Sequence, residues 1–329
     1  MKKHYLLAVV MLVAVIAAIF LVKSPPQEHD EPFRIGVVTW VGFGPLYVAR
    51  DKGFFDEEGV KVEIQRIEDL GALRGALASG KLDAIVHTVD SWASAAAEGL
   101  PAVCVLKIDQ SFGGDGIVAD SSIKTIADLK GKSVAFPRGL AGHFFLLHLM
   151  KQSGLSADDI KERYMEAADA AAAFIAKKVD AAVTWEPFLS EAGQTDNGHI
   201  IATTADYPGL ITDILIVRKS VVSSRPADIK RVLKGWFRAV DFTAQNGPEA
   251  AAIMERNFGI EVAEVEGMLS GLRFSSLEEN IAAFGDNDAE SPIVKTFNSA
   301  GQVYSDAGLI KSPVSGAQYF DGSFLRALK

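Results

Sequence analysis

A chain of 329 residues, 49% hydrophobic and 23% charged, carries ample apolar material for large cores. It exceeds the roughly 250–300 residues at which one core stops growing, so two lobes are expected. A formal net charge of -9, with no Lys/Arg run or basic stripe to offset it, excludes nucleic acid as a partner. The lone cysteine, Cys104, excludes an internal disulfide and a cysteine-rich zinc site.

In chain order, residues 1–23 read as an export segment. Lys2 and Lys3 precede an uncharged apolar stretch at 6–22, and an acidic, Pro-containing spacer fills 24–32. The stretch sits at the short limit of a membrane span, about 17–25 residues. No small-x-small site follows Val22 and no cysteine is available there for a lipid, which favours an uncleaved anchor over a cleaved signal peptide. The positive flank keeps the N-terminus cytoplasmic. The body is then in the periplasm or on the outer face of the cytoplasmic membrane.

From residue 33 strand-like and helix-like runs alternate. Residues 33–39 are β-rich, 46–55 helical, 60–67 an alternating strand, 70–79 a helix ended by Gly80, and 84–89 a buried strand. This βαβαβ order predicts an α/β fold whose mostly parallel sheets carry helices on both faces. Cys104, within the apolar run 101–106 and without a charged or His neighbour, reads as a buried strand residue rather than a reactive thiol.

The chain also echoes itself. Lys81-Leu82-Asp83-Ala84 returns as Lys178-Val179-Asp180-Ala181, each after a helix and before an apolar strand. The strand, Gly-bearing loop and helix begun at residues 37–45 return at 134–142. Two lobes of one design explain both echoes. Apolar runs at 116–119 and 211–217 are read as the two crossover strands, so that 33–119 with 214–329 forms lobe one and 120–213 forms lobe two. A largely helical C-terminal part (226–246, 248–257, 262–271, 292–307) completes lobe one. Two crossing strands make a hinge suited to closure about a ligand.

In open α/β sheets ligands sit beyond the carboxyl ends of the strands. That rule selects Trp40, Gly42, Phe43 and Gly44 after the first strand, and Asp90, Ser91 and Trp92 after the third. From lobe two it selects Arg138, Gly142, His143, Trp185 and Glu186, with Asp115 and Asp213 beside the crossover strands. Glycines admit a ligand close to backbone N–H groups and helix N-termini offer free donors. A single Trp at a strand end is more often core than ligand wall, but four aromatics on converging loops favour a binding cleft. Neither Gly loop has the spacing of a nucleotide-binding fingerprint.

Several stretches resemble periplasmic binding proteins of the nitrate/sulfonate/taurine class, which serve ABC importers. They are Gly44-Pro45-Leu46-Tyr47-Val48-Ala49 into Lys52-Gly53-Phe54-Phe55, then Ala78-Ser79-Gly80-Lys81-Leu82-Asp83-Ala84, Ile126-Ala127-Asp128-Leu129-Lys130-Gly131-Lys132, and Val179-Asp180-Ala181-Ala182-Val183-Thr184-Trp185-Glu186-Pro187. The resemblance spans about residues 33–217. It implies a type II periplasmic-binding fold, no catalysis, no cofactor, and a permease with its ATPase as partners.

Ligand charge does not carry over as simply. Arg138 is the one basic residue in the cleft loops, against Asp90, Asp109, Asp115, Glu186 and Asp213. A carboxylate left beside an anion costs several kcal/mol, so a small nitrogenous cation or zwitterion is expected. The alternative is a small anion such as a sulfonate, nitrate or bicarbonate, with Asp115, Glu186 and Asp213 serving as structural caps. A ligand sensor on the same lobes, or a cofactor-precursor enzyme of the same fold, is a further reading. For the enzyme, His87, His143 and His148 are the acid–base candidates, but no nucleophile–base–orienter set or metal-ligand spacing accompanies them.

Overall fold

The computed structural model describes residues 31–287 and 290–329. The apolar stretch 6–22 and most of the spacer lie outside the described residues, and among these no helix is long and apolar enough to cross a membrane. Residues 33–329 form one compact unit.

Eleven strands are described: β1 (Phe33–Val37), β2 (Val62–Arg66), β3 (Ala84–Thr88), β4 (Ala102–Ser111), β5 (Asp115–Asp120), β6 (Ser133–Phe136), β7 (Lys161–Tyr164), β8 (Ala181–Trp185), β9 (Gly198–Thr203), β10 (Thr212–Arg218) and β11 (Leu272–Phe274). They build two sheets, ordered β11-β4-β10-β3-β1-β2 and β7-β6-β8-β5-β9. The expected parallel cores are present, with β1 between β2 and β3 and β6 between β7 and β8. Each sheet is mixed, because β10 runs antiparallel to β3 and β4 while β5 runs antiparallel to β8 and β9.

Both sheets follow one plan. The first strand sits between the second and third, then a strand from the other side of the crossing enters antiparallel, then the fourth. The sequence echoes fall at matching places, with β3 and β8 as third strands and β1 and β6 as first strands. The segments expected to cross between lobes do not cross. Residues 116–119 are laddered between β8 and β9, and 211–217 run into β10 between β3 and β4. An apolar run hydrogen-bonded on both edges is a central strand. The passages are instead the short connections 112–114 and 204–211 between the sheets.

The helices that position the site are α1 (Gly44–Asp51), α2 (Leu70–Ala78), α3 (Val89–Ala97), α4 (Ala141–Gln152) and α5 (Ala167–Ile175). The C-terminal part adds α6 (Pro226–Gln245), α7 (Gly247–Phe258), α8 (Val262–Leu269), α9 (Leu277–Phe284) and α10 (Pro292–Asp306). The helix expected over 46–55 is broken, since Gly53 takes φ 74° and starts a separate short turn. Asp69 caps α2 by accepting from the Ala72 N–H at 2.6 Å. That helix lies so close on β1 that a Cβ at Gly36 would stand 2.5 Å from Leu73 and Leu82. Helix α6 begins with Pro226 at its first turn and buries Ile229, Val232, Leu233, Trp236, Ala239 and Val240, a helical stripe. Among the elements not read in the sequence are the strands β7, β9 and β11 and helix α9, although α9 starts with a Ser276/Glu279 capping box. Cys104 is free and fully buried in β4.

The repeated aspartates explain how the plan is held. Asp83 Oδ2 accepts from the Arg34 N–H at 2.9 Å, and Asp180 Oδ2 accepts from the Ser133 N–H at 2.7 Å. In each lobe the residue that opens the third strand therefore clamps the start of the first. Asp180 also takes the Ser133 hydroxyl at 2.6 Å. Buried Asp83 is instead met by the guanidinium groups of Arg34, Arg218 and Arg225 at 3.4–3.6 Å.

Removing either carboxylate leaves donors without an acceptor, so both substitutions are expected to destabilise, and unequally. Asp180→Ala should lower unfolding free energy by about 1–3 kcal/mol. Asp83→Ala, which strands cationic groups, should cost about 3–5 kcal/mol. Urea denaturation monitored by circular dichroism reads both; equal losses would refute the added electrostatic role of Asp83.

Candidate functional site

Because β1 and β3 end where β6 and β8 of the facing sheet end, their carboxyl-terminal loops enclose a cavity of about 60 Å³. That is room for a handful of water-sized groups. Trp40 and Phe43 line it from the loop after β1, and His87, Thr88 and Ser91 from the end of β3 and start of α3. From the other side come Leu140 and Ala141 at the start of α4, Trp185 at the end of β8, and Asp115 and Asp213 at the starts of β5 and β10. Trp185 also ties the halves together, since its Nε1–H donates to the Thr39 carbonyl at 3.1 Å.

Six of the fourteen residues selected from the sequence thus meet at the cavity: Trp40, Phe43, Ser91, Asp115, Trp185 and Asp213. The others stand elsewhere. Asp90 is buried and turned to α10, where the Tyr304 hydroxyl donates to its Oδ2 at 2.7 Å. Trp92 packs edge-on against Tyr319 and donates to the Tyr319 carbonyl at 3.3 Å. Gly44 lies against α7, where a Cβ would meet Met254 at 2.4 Å. Gly42 is pressed between Trp40 and Asp109, its Cβ position 2.2 Å from each, so it serves close packing behind the wall. Gly142 backs onto Val183 at 3.3 Å.

The expected basic contact is also displaced. Arg138 is exposed, with its guanidinium over the Tyr164 ring at 4.9 Å. His143 is buried against Phe136 with ring centroids 4.7 Å apart, and its Nδ1 accepts from the Gly139 N–H at 3.1 Å. Burial, helped by the Arg138 charge, pushes its pKa down to about 4, so the ring is neutral. Glu186 acts as a cap, accepting from the Ser190 N–H at 3.0 Å and hydroxyl at 2.7 Å. His148 sits on α4 beside Gln152, 2.9 Å away, outside the cavity.

His87, Thr88 and the apolar residues Val38, Leu70, Val86, Leu140, Ala141 and Ile211 line the cavity without having been selected. For His87 a signal existed, a polar side chain near the carboxyl end of an otherwise apolar strand. The apolar six carry none, since they look like any core residue.

Three carboxyl groups gather where the chain crosses. Asp109 ends β4 fully buried, and its Oδ2 accepts from Trp40 Nε1–H at 3.4 Å. Asp109 and Asp213 are buried within electrostatic reach of each other, and two carboxyl groups so placed hold a proton in preference to two charges. Burial is the first cause of their shifts, raising Asp109 to about 7 and Asp213 well above the ordinary carboxylate value, with the charge of Asp109 adding to the latter. Asp115 is raised to about 7, again chiefly by burial, although Ser111 opposes it. Below neutral pH this wall is neutral and can donate hydrogen bonds. Above it, the wall is anionic.

A native pKa raised above the unfolded value of 3.8 means that the folded chain holds the proton over a wider range. The stability that Asp115 contributes is then full below about pH 4 and is lost as pH rises from about 4 to about 7. Each such group contributes a slope of about 1.4 kcal/mol per pH unit in that window. Asp115→Asn is expected to flatten the fall by one group's share, read as unfolding free energy between pH 4 and 8. An unchanged slope would refute the assignment.

A family model described as NMT1/THI5 like matches residues 40–251. A relative from Brucella abortus (strain 2308), named only as a binding protein, is 22% identical over 315 residues, 94% of this chain and 96% of its own length. The taurine-binding periplasmic protein of Escherichia coli (strain K12) is 20% identical over 335 residues, covering 99% of both chains. Among solved structures, the alkanesulfonate-binding protein SsuA of Xanthomonas axonopodis pv. citri, bound to MOPS, superposes with a TM-score of 0.75. It is 22% identical and the match covers 89% of this chain and 99% of that one. The likeness in structure establishes the two-sheet α/β fold of periplasmic binding proteins.

Proposed function

The chain belongs to the NMT1/THI5-like family, and from that premise we propose that it is the extracytoplasmic solute-binding subunit of an ABC import system, holding a small sulfonate-type anion and releasing it unchanged. Its partners are a membrane permease and the ATPase that drives it. The observation that carries the reading is the cavity built from loops of both sheets, enclosed by Trp40, Phe43 and Trp185. Relatives matching nearly the whole chain are named as binding proteins, one of them for taurine, an aminosulfonate. The site offers an anion the Ser91 and Thr88 hydroxyls and the starts of α3 and α4, where backbone N–H groups are free of helix partners.

This reading corrects the ligand charge expected from the sequence. Carboxylates were counted there as negative, whereas burial keeps the proton on Asp109, Asp115 and Asp213 near neutral pH. A neutral carboxyl group is a hydrogen-bond donor to a sulfonate oxygen. A second reading, a nitrogenous cation or zwitterion, is favoured by Asp115 and Asp213 standing in the lining with no Lys or Arg side chain beside them.

The two readings differ in the sign of their pH dependence. Methanesulfonate affinity is expected to fall at least about tenfold, or 1.4 kcal/mol, between pH 5.5 and 8.5 as the wall ionises. Asp115→Asn should retain more of it at pH 8.5. A cation such as ethylammonium would strengthen over the same range. Calorimetric titration of both probes at the two pH values checks this. No methanesulfonate binding at either pH, or tighter binding at pH 8.5, would overturn the anion reading.

A further inference from the structure

Trp185, at the end of β8, lines two spaces at once. It borders the enclosed cavity of about 60 Å³ and also an outer groove of about 300 Å³, and it is the residue that the two linings share. Lobe one walls the groove with Thr39, Phe258 and Ile260, and lobe two walls it with Ala167, Pro187 and Phe188. Arg66, Glu68 and Glu166 add charge at its border, where Arg66 and Glu68 pair at 3.5 Å.

The indole between these spaces is held from several directions. Its Nε1–H donates across the cleft to the Thr39 carbonyl at 3.1 Å. Thr39 is pinned in turn, because its N–H and its hydroxyl donate to the two oxygens of Glu68 at 3.0 and 2.6 Å. The backbone of Trp185 is laddered against Asp115 of β5, and the next N–H, of Glu186, donates to the Gly114 carbonyl at 2.9 Å. A side chain fixed in this way is a partition. The space behind it takes a handful of water-sized groups, about a sulfonate head with one or two carbons. A longer chain has to displace the indole, which breaks the bond to Thr39 that joins the lobes.

We propose that Trp185 is a length filter, a specificity-determining residue that restricts the cavity to short-chain ligands by closing it off from the outer groove. The filter acts through shape and therefore holds for whichever head group the cavity takes. Only the choice of sulfonates as first probes rests on the anion reading above. With the indole removed the two spaces join, and a longer apolar tail runs from the cavity onto Pro187, Phe188 and Phe258. Each methylene buried there strengthens binding by up to about fourfold.

Calorimetric titration with n-alkanesulfonates, from methanesulfonate to hexanesulfonate at pH 5.5, tests the filter. In the wild type, hexanesulfonate is expected to bind at least about tenfold more weakly than methanesulfonate. Trp185→Ala should weaken methanesulfonate and reverse that order. Adding Phe188→Ser to this variant should lower the ratio of hexanesulfonate to methanesulfonate affinity again, since the tail then loses its wall. A residue that only supports the fold would weaken every chain length together. The wild-type series needs no variant, so it decides the matter even where Trp185→Ala does not fold. A parallel series of n-alkylammonium ions at pH 8.5 separates the filter from the head group. A length cut-off in that series, with no sulfonate bound, overturns the sulfonate reading and leaves the filter. Sulfonates that bind equally well at every length, or an unchanged order in Trp185→Ala, overturn the filter and leave the reading. Binding of neither series overturns both.

Discussion

Thr204 holds the two connections between the sheets together. Its hydroxyl lies 2.7 Å from Ser111 Oγ and accepts from the Gly113 N–H at 2.8 Å, while Ser111 Oγ in turn accepts from the Asp115 N–H at 3.1 Å. Ser111 and Thr204 are both fully buried. This small polar knot lies where the outgoing and returning chains pass, and it satisfies backbone groups that a sharp exit from a sheet would otherwise orphan. It also fixes where β5 begins, with Asp115 as its first residue. Asp115 on the outgoing strand and Asp213 on the returning one are both buried near Asp109 of β4.

The same placement sets the electrostatics. Isolated, three buried carboxylates would each cost several kcal/mol, and the chain meets that by holding protons rather than by supplying cations. The cations are spent elsewhere: Arg34, Arg218 and Arg225 surround Asp83, and Arg225 and Arg231 bracket Asp228. Arg74 is the exception, close to the cavity but separated from it by one imidazole ring, that of His87. Formal charges counted along the sequence therefore overstate the negative charge that burial leaves on these Asp side chains.

Much of the fold was legible in the sequence for a physical reason. Strand order follows from βαβ alternation, and the repeated Lys-apolar-Asp-Ala turn marks the two third strands because the same clamp is needed in both. The strand-end rule picks out loops that line the cavity, yet only some of the side chains that face it. Trp40, Phe43 and Trp185 reach the cavity, whereas Trp92 and Asp90, on a loop chosen equally well, rotate into the contact with Tyr319 and Tyr304. Rotation about a helix start is settled by the partner helix α10, more than two hundred residues away in sequence. The crossings were misplaced for a related reason. Apolar β-rich runs mark central strands, while a passage between sheets needs turn residues such as Gly113 and Gly114.

The contacts that close the mouth of the cavity are modest. Away from the two connections, Trp185 Nε1–H donates to the Thr39 carbonyl at 3.1 Å and the Tyr304 hydroxyl reaches the Leu140 carbonyl at 3.3 Å. Neutral hydrogen bonds of this kind contribute about 0.5–1.5 kcal/mol each, and the edge-on ring pair of Phe144 and Tyr304 adds a comparable amount. Moving a two-state balance from mostly open to mostly closed takes about 5.5 kcal/mol of differential binding. The protein's own contacts fall short of that, so most of the preference for a closed cleft must come from what the cleft encloses. A ligand that touches Trp40 and Ser91 in one lobe and Trp185 and Asp115 from the other contributes only when the sheets are together. Selectivity and closure are then set by the same few groups.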